Sequence, residues 1–288
     1  MEWDDLKIIL AISRAGTLSA AAKQLKLNHS TVFRRINLIE KNNSVRFFER
    51  LHYGYEATEA GNQAIQVAEN MEAEMFNLNR KILGKDLTLQ GKVRITAPVG
   101  VSIKILGTHL YNFYQENPDI QIDLIATCNT LSLSKMEAEI ALRVTNSPPE
   151  NSIGRRICGF NTTLYANQNY LDKHSNYKLQ EYDYLFSNDM MGWLPKSIAK
   201  KQLNIKFTSD NVLSVLDMAE QGLGVAPLPC FLGDATESLV RLMDPPRELN
   251  KGLWLLTHSD LRKTARVRHL INFMFDALKH QEALFFGK

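Results

Sequence analysis

The sequence predicts an α/β chain in two parts: a small helical head joined by one long helix to a larger region of alternating strands and helices. Three observations predict it. Residues 18–41 read as two helices about a tight turn, residues 58–83 as a single helix with 3- and 4-residue apolar spacing, and from residue 93 the pattern becomes strand, helix, strand. The last of these is the signature of a parallel sheet, because parallel neighbours need a crossover between them.

In the head, Leu18, Ala21, Ala22 and Leu25 fall at i, i+3, i+4 and i+7 and form one apolar stripe, with Ser19 as the expected N-cap. Lys26-Leu27-Asn28 then supplies an apolar plug, Leu27, and a cap, Asn28, for the next helix. There Val32, Ile36 and Ile39 face the core, which leaves His29, Ser30, Thr31, Phe33, Arg34, Arg35 and Asn37 as the outward set. This is the build of a helix-turn-helix reader of double-stranded DNA. Arginine can bond guanine bidentately, hydroxyls can reach bases or phosphates, and Phe33 can touch a thymine methyl. Alone, Arg34 and Arg35 would equally suit a solvated surface helix. The preceding helix and turn favour DNA.

Residues 45–57 have short apolar runs either side of Gly54, as a hairpin does, and a hairpin here makes a wing. Arg50, His52 and Tyr53 are its candidate contacts to phosphates or a minor groove, while Phe47 and Phe48 close the small core. Between Lys26 and Arg50 six basic residues stand against two acids, a local charge of +4 in a chain that carries only +3. The positive charge therefore sits where phosphates would, and binding is expected to weaken with salt.

From residue 58, Ala64, Ala68, Met71, Met75, Leu78 and Ile82 are spaced 4, 3, 4, 3 and 4, a heptad seam for a homodimer or, alternatively, a face that packs on its own body. GKDLTLQG (84–91) reads as a flexible joint. Strands are then expected at 93–96, 120–126, 184–186, near Val225 and at 253–257, with helices at 101–115, 211–221 and 267–286. Gly222 and Gly224 follow a helix and enter a strand, so they read as a helix stop and not a dinucleotide loop.

Ligands of open α/β sheets sit beyond strand C-terminal ends, where helix N-termini offer unpaired N–H groups. That rule picks out Thr96, Pro98, Val99, Gly100 and Ser102 after the first strand, Thr127, Asn129 and Thr130 after the second, and Ser187 and Asn188 in the stretch 187–193 of the far half. Hydroxyls with backbone N–H groups suit a carboxylate or another small polar effector. Thr96, Asn129 and Thr130 could instead cap helices.

AGTLSAAAKQL and STVFRRINLIE, then FFER (47–50) with Gly54 and Thr58-Glu59-Ala60-Gly61, resemble the LysR-type transcriptional regulators, as do EIALR (139–143) and GLGVA (222–226). The resemblance implies a winged helix-turn-helix over 1–57, a linker and dimerisation helix over 58–84, a hinge over 85–91 and an effector-binding domain over 92–288. It further implies two Rossmann-like lobes resembling the periplasmic-binding-protein fold, lobe I over 92–162 and 257–288 and lobe II over 163–256, with a small-molecule effector between them. A homodimer or homotetramer and a contact with RNA polymerase belong to the same expectation. His29 and Ser30 replace the Gln and Pro of many members, and Phe33 replaces a small hydroxyl residue, so base preferences do not carry over.

Other classes find little support. No phosphate-binding loop, metal-ligand cluster or nucleophile arrangement is visible, so the expectation is no catalytic residue, no metal and no cofactor; His258, Ser259 and Asp260 are neighbours in sequence, which does not make a triad. Glu2, Asp4 and Asp5 stand where an export signal needs positive charge, and no run reaches membrane-span length, so a cytoplasmic protein with no membrane partner is expected. Cys128, Cys158 and Cys230 are odd in number and widely spaced, as reduced buried thiols are. The rivals are a solute-binding protein, which has no use for residues 1–57, and a sequence-tolerant DNA-compacting protein without an effector.

Overall fold

Helices α1 (Trp3–Ala15), α2 (Leu18–Leu25) and α3 (His29–Asn43) pack because each carries one apolar face. Ile9, Ile12, Ala21, Val32 and Ile36 meet in a core completed by Phe47, Phe48, Ala64 and Ala68. The computed structural model describes residues 1–188, 203–245 and 251–287. It divides into two compact units, Met1–Asn79 and Arg80–Lys288.

Two caps differ from expectation. Thr17, not Ser19, caps α2: its hydroxyl accepts the Ala20 N–H at 3.3 Å, and Ser19 is already inside the first turn. Asn28 does occupy the N-cap of α3, with extended φ and ψ of −79° and 148°, but its side chain makes no cap bond. Leu27 is 38% exposed and plugs nothing. Leu25 packs on the core instead, because Lys26 turns into the left-handed region (φ 55°) immediately after it.

Strands β1 (Phe48–Leu51) and β2 (Gly54–Ala57) form the expected hairpin, with His52 and Tyr53 as its two-residue tip. The hairpin is docked on the α1–α2 turn, where the Tyr55 N–H donates to the Gly16 carbonyl at 2.9 Å. A Cβ at Gly54 would lie 2.5 Å from that same carbonyl, so only glycine permits the approach.

Helix α4 (Glu59–Leu83) starts at Thr58, whose hydroxyl donates to the Arg46 carbonyl (2.7 Å) and accepts the Gly61 N–H (3.0 Å). Its seam splits. Ala64 and Ala68 are buried in the head's own core, so for these two the packing on the chain's own body replaces the expected dimer contact. Val67, Met71, Met75, Leu78 and Ile82 are 40–62% exposed and continue as one stripe.

In the second unit a five-stranded sheet has the order β4-β3-β5-β12-β6, from β3 (Gly91–Ala97), β4 (Ile120–Ala126), β5 (Ile140–Thr145), β6 (Ser152–Gly159) and β12 (Gly252–His258). β3 runs parallel to β4 and β5, whereas β12 runs antiparallel to β5 and β6. A second set repeats this arrangement. β8 (Asp183–Ser187) runs parallel to β9 (Asn204–Ser209) and, through a bridge from Tyr184 to Val225, to the chain entering β10 (Ala226–Pro229). β10 pairs antiparallel with β7 (Thr162–Asn167), which pairs antiparallel with β11 (Leu239–Arg241). Two lobes of one topology result; the chain passes from the first to the second between Gly159 and Thr162 and returns between Arg241 and Gly252.

All of β12 pairs in the first sheet, so residues 252–256, expected in lobe II, belong to lobe I. The final helix, expected over 267–286, is two pieces, Ala265–Lys279 and Glu282–Phe286. Helix α5 opens as Val99–Val101, widens into a π turn over Ser102–Leu106 and continues as Gly107–Glu116. The helix Val212–Glu220 stops as expected: Gly222 has φ +76°, and its N–H and that of Leu223 donate to the Ala219 and Met218 carbonyls.

Within the expected joint, Gly84, Asp86 and Thr88 are held rather than free. The place for a Gly84 Cβ lies 2.2 Å from the Asp260 carbonyl. Asp86 accepts from the Thr88 N–H (2.9 Å) and hydroxyl (2.7 Å) and from the Arg266 guanidinium. The Thr88 bonds chiefly, then Arg266, hold the Asp86 carboxyl down to about 2. The boundary between the units accordingly falls inside α4, between Asn79 and Arg80. Among the described residues no helix is long and apolar enough to cross a membrane.

Candidate functional site

At about 100° per residue along α3, Ser30, Arg34, Asn37 and Lys41 project opposite the buried Val32, Ile36 and Ile39. Arg34 is exposed at the middle of that outward line and has no acidic partner among the described residues. His29, Ser30 and Phe33 are exposed, and Thr31 is half-buried. Arg35 lies on the flank, lining a depression with Glu2, Asp4 and Asp5 at the start of α1. Asp4 lies below the usual carboxylate range, chiefly through its hydrogen bond and ion pair with Lys7 and to a lesser degree through the charge of Arg35.

The β1–β2 hairpin is fixed to α3 by side chains. Glu40 accepts the Phe47 N–H (2.9 Å) and the Phe48 N–H (3.2 Å) on one carboxylate oxygen. Arg50 was expected at the hairpin tip, but its register places it opposite Tyr55, on the strand itself. Its guanidinium bonds the Asn37 Oδ1 and stands over the Phe33 ring (5.3 Å) and the Tyr55 ring (5.9 Å), with a Glu40 oxygen at 3.9 Å. Asn37 in turn donates to the Phe33 carbonyl at 2.9 Å. Arg50, Asn37 and Phe33 thus lock wing to helix, and only His52 and Tyr53, stacked edge to face at 4.9 Å, form the projecting tip. Lys41 is an outward residue that the motif reading passed over; its spacing from Ser30, Arg34 and Asn37 was the available signal.

In the second unit, the C-terminal ends of β3 and β4 meet the second lobe around a cavity of about 200 Å³. Of the residues expected there, Pro98, Val99, Gly100, Thr127 and Thr130 line it. Val212, Pro229, Phe231 and Leu232 close it from the second lobe, and Arg143, Lys251, Cys128 and Phe160 complete the wall. A Cβ on Gly100 would stand 3.2–3.6 Å from Leu232, Val212 and Phe231, so the start of α5 approaches the second lobe closely. Pro98 occupies the helix N-cap without a side-chain cap bond, and Ser102 supplies the first intrahelical N–H, to the Pro98 carbonyl. The preceding N–H groups point out of the helix end.

The remaining expected ligands are elsewhere. Thr96 is fully buried between β4 and β5, and its hydroxyl has no hydrogen-bond partner. Ser102 turns back to the Ala97 carbonyl at 3.4 Å. Asn129 acts through its backbone, its N–H donating to the Thr127 hydroxyl (3.0 Å) and its carbonyl accepting from Arg143 (3.3 Å). Thr96 and Asn129 cap no helix. Ser187 is buried at the end of β8, and the Asn188 N–H donates to the Ser209 carbonyl, so the β8–β9 pairing takes both away from the cavity wall. Residues 189–193 of the same stretch lie outside the described residues.

Arg143 is the principal residue that motif reading missed. It is the sole charged side chain of β5, and parallel pairing with β3 brings β5 to the cleft. Its Nη2 is buried without a hydrogen-bond partner, and burial draws the guanidinium below its ordinary range. Together with Lys251 it makes the wall cationic, and no carboxylate is among the described lining residues. Cys128 is exposed, contrary to the expected burial, because it follows β4 at the cleft mouth; Cys158 and Cys230 are buried. Burial pushes the Cys158 thiol up to about 12.

Comparison with known proteins agrees with this architecture. Residues 3–62 match the family model of the bacterial regulatory helix-turn-helix protein, lysR family, and residues 88–279, more than half of the chain, match the LysR substrate binding domain. An HTH-type transcriptional regulator of Xanthomonas campestris pv. campestris (strain 8004) is 26% identical over 60% of this chain and 50% of its own length. The Mau operon transcriptional activator of Paracoccus denitrificans is 24% identical over 96% of both chains. In fold, the chain is similar to the full-length Vibrio cholerae virulence activator AphB, with a TM-score of 0.61, 20% identity, and coverage of 96% of this chain and 99% of that one. The helix-turn-helix head and the two-lobed second unit are therefore those of the LysR-type transcriptional regulators, the bacterial family to which this chain belongs.

Proposed function

We propose that this regulator binds a specific operator as a homodimer or a pair of dimers, reading bases with the outward line of α3, and that a small anionic effector in the interlobe cleft changes its affinity for DNA. The carrying observation is the cleft itself: a cavity walled by both lobes, with Arg143 and Lys251 and no described carboxylate, on a chain whose α3 presents Arg34 outward. An effector that binds one lobe arrangement more tightly than another shifts the population toward it, and only that difference in affinity can regulate. The cytoplasm, where promoter DNA and RNA polymerase are met, is the matching location. His52 and Tyr53 would meet the backbone or minor groove beside the helix.

A ligand that binds the folded state raises its melting temperature by mass action. Thermal-shift titration of the full chain with small carboxylates is expected to find at least one that stabilises it. Thr127→Trp, which fills the cleft, abolishes that stabilisation. Carboxylates that never shift the transition, or shift the Trp variant equally, would contradict the effector site.

The exposed stripe of α4 is the proposed dimer seam, Met71, Met75, Leu78 and Ile82 with Val67 in place of the buried alanines. Met75→Glu with Leu78→Glu puts like charges into the seam while touching nothing buried. Light scattering is expected to give half the native mass for this double variant with its helical content retained. An unchanged mass would place the dimer contact elsewhere.

A further inference from the structure

The chain crosses between the lobes twice, and residues 285–287 hold on to both crossings. At the first, the Asn161 N–H donates to the Phe285 carbonyl and the Asn161 side-chain amide to the Phe286 carbonyl, each at 2.9 Å. At the second, Arg241, the last residue of β11, donates to the Gly287 carbonyl at 3.0 Å. Asp234 fixes that arginine by accepting two of its N–H groups, and also accepts the Tyr165 hydroxyl at 2.7 Å. The crossings bond each other as well, the Phe160 N–H donating to the Lys251 carbonyl at 3.0 Å.

Phe285 is fully buried. Its ring stacks on Phe160 with centroids 5.9 Å apart and tilts against Phe231 at 5.5 Å. Phe160 belongs to the first crossing and Phe231 to the second lobe, and both line the interlobe cleft, so Phe285 backs the cleft wall where the lobes meet. Gly287 closes the packing: its φ is +79°, and a Cβ there would lie 2.7 Å from the Cys230 Sγ and 2.8 Å from the Cys230 Cβ. A two-lobed domain moves about its crossings, where a few residues absorb the change in backbone angles. A segment bonded to both crossings resists that change. Its anchoring bonds and single buried ring form a small unit that can open without unfolding either sheet.

We propose that residues 282–287 are a clasp on the lobe hinge. Closed, it holds the lobes in their present arrangement, with Phe285 as a positioning residue that sets Phe160 and Phe231 in the cleft wall; released, it lets the lobes part. The clasp thus sets the resting balance of lobe arrangements on which any ligand in the cleft acts. It is argued from packing and holds whether or not a carboxylate occupies the cleft.

The test is hydrogen exchange of the full chain, read by mass spectrometry, for the native sequence, Phe285→Ala and Gly287→Val. The decisive peptide is 98–106, the start of α5. It faces the second lobe across the cleft, where a Gly100 Cβ would stand 3.2–3.6 Å from Leu232, Val212 and Phe231, so its protection reports contact between the lobes. Both variants are expected to exchange at least about tenfold faster there and in the peptides holding the Phe160 and Cys230 amides, while β3 and β7 stay protected as in the native chain. Faster exchange confined to 281–287 and Asn161, with 98–106 unchanged, would overturn the proposal, because the segment would then pack locally without holding the lobes. Circular dichroism identifies a variant that does not fold. If Phe285→Ala fails to fold, Gly287→Val decides; failure of both would make the segment part of the fold and not a clasp, and would also overturn the proposal.

Discussion

Arg34→Ala is expected to weaken binding to the operator by at least about 30-fold while leaving the melting temperature of the head unchanged. The argument is geometric. Arg34 is exposed midway along the outward line of α3, is opposed to the buried face and, among the described residues, has no ion pair that its loss would break. One good arginine–base contact is worth about 1–3 kcal/mol, and a dimer places two copies in two grooves. Arg35→Ala is expected to cost much less, because Arg35 already sits beside Glu2, Asp4 and Asp5. Electrophoretic mobility shifts on operator and random duplexes at matched salt measure both losses. If Arg34→Ala lost affinity for both duplexes equally, Arg34 would be a phosphate contact and not a reader of bases. Unchanged affinity would assign reading to another surface.

The second large effect is on stability. Glycine to alanine inside a helix normally gains up to about 1 kcal/mol. At Gly61 the sign is expected to reverse. The added Cβ would lie 2.0 Å from the Phe47 carbonyl oxygen and 3.0 Å from its carbon, and the obstacle is backbone, so no rotamer change relieves it. That carbonyl also accepts the Thr58 N–H at 3.0 Å, and Thr58 caps α4, so the clash disturbs the joint that sets helix against hairpin. A loss of about 3 kcal/mol or more is expected for Gly61→Ala, a large share of the stability of a domain this size. Thermal unfolding followed at 222 nm by circular dichroism, with the wavelength set by the helical signal, reads it directly. A variant as stable as the native chain would show that the hairpin relaxes freely from α4, and the fixed wing would have to be abandoned.

What could be read from the residues was what depends on near neighbours. Val32, Ile36 and Ile39 announce their buried face because helical spacing is local, and Gly222 announces a stop because a left-handed residue is needed there. The seam of α4 shows the limit: spacing tells which face is apolar but not which body covers it, so Ala64 and Ala68 went to the head's own core while Met71 and Met75 stayed exposed. The cap of α2 was misplaced because Thr17 and Ser19 offer the same hydroxyl, and only backbone angles choose between them. The cleft was half legible. Pro98, Val99 and Gly100 follow from the strand-end rule, but Arg143 reaches the cleft only because β5 pairs with β3 across 45 residues, Ile95 against Ile140. Likewise, Arg50 looks like a tip residue until register sets it opposite Tyr55 and over Phe33.

The most direct measurement is a nuclease footprint of the full-length protein on the DNA flanking its own gene, with native chain and Arg34→Ala side by side. The account predicts protection of two half-sites whose centres are about 10 base pairs, or a multiple of that, apart, present with the native chain and absent with the variant. Unprotected DNA at low salt, or an identical footprint from both proteins, would contradict the claim that the outward line of α3 reads the operator.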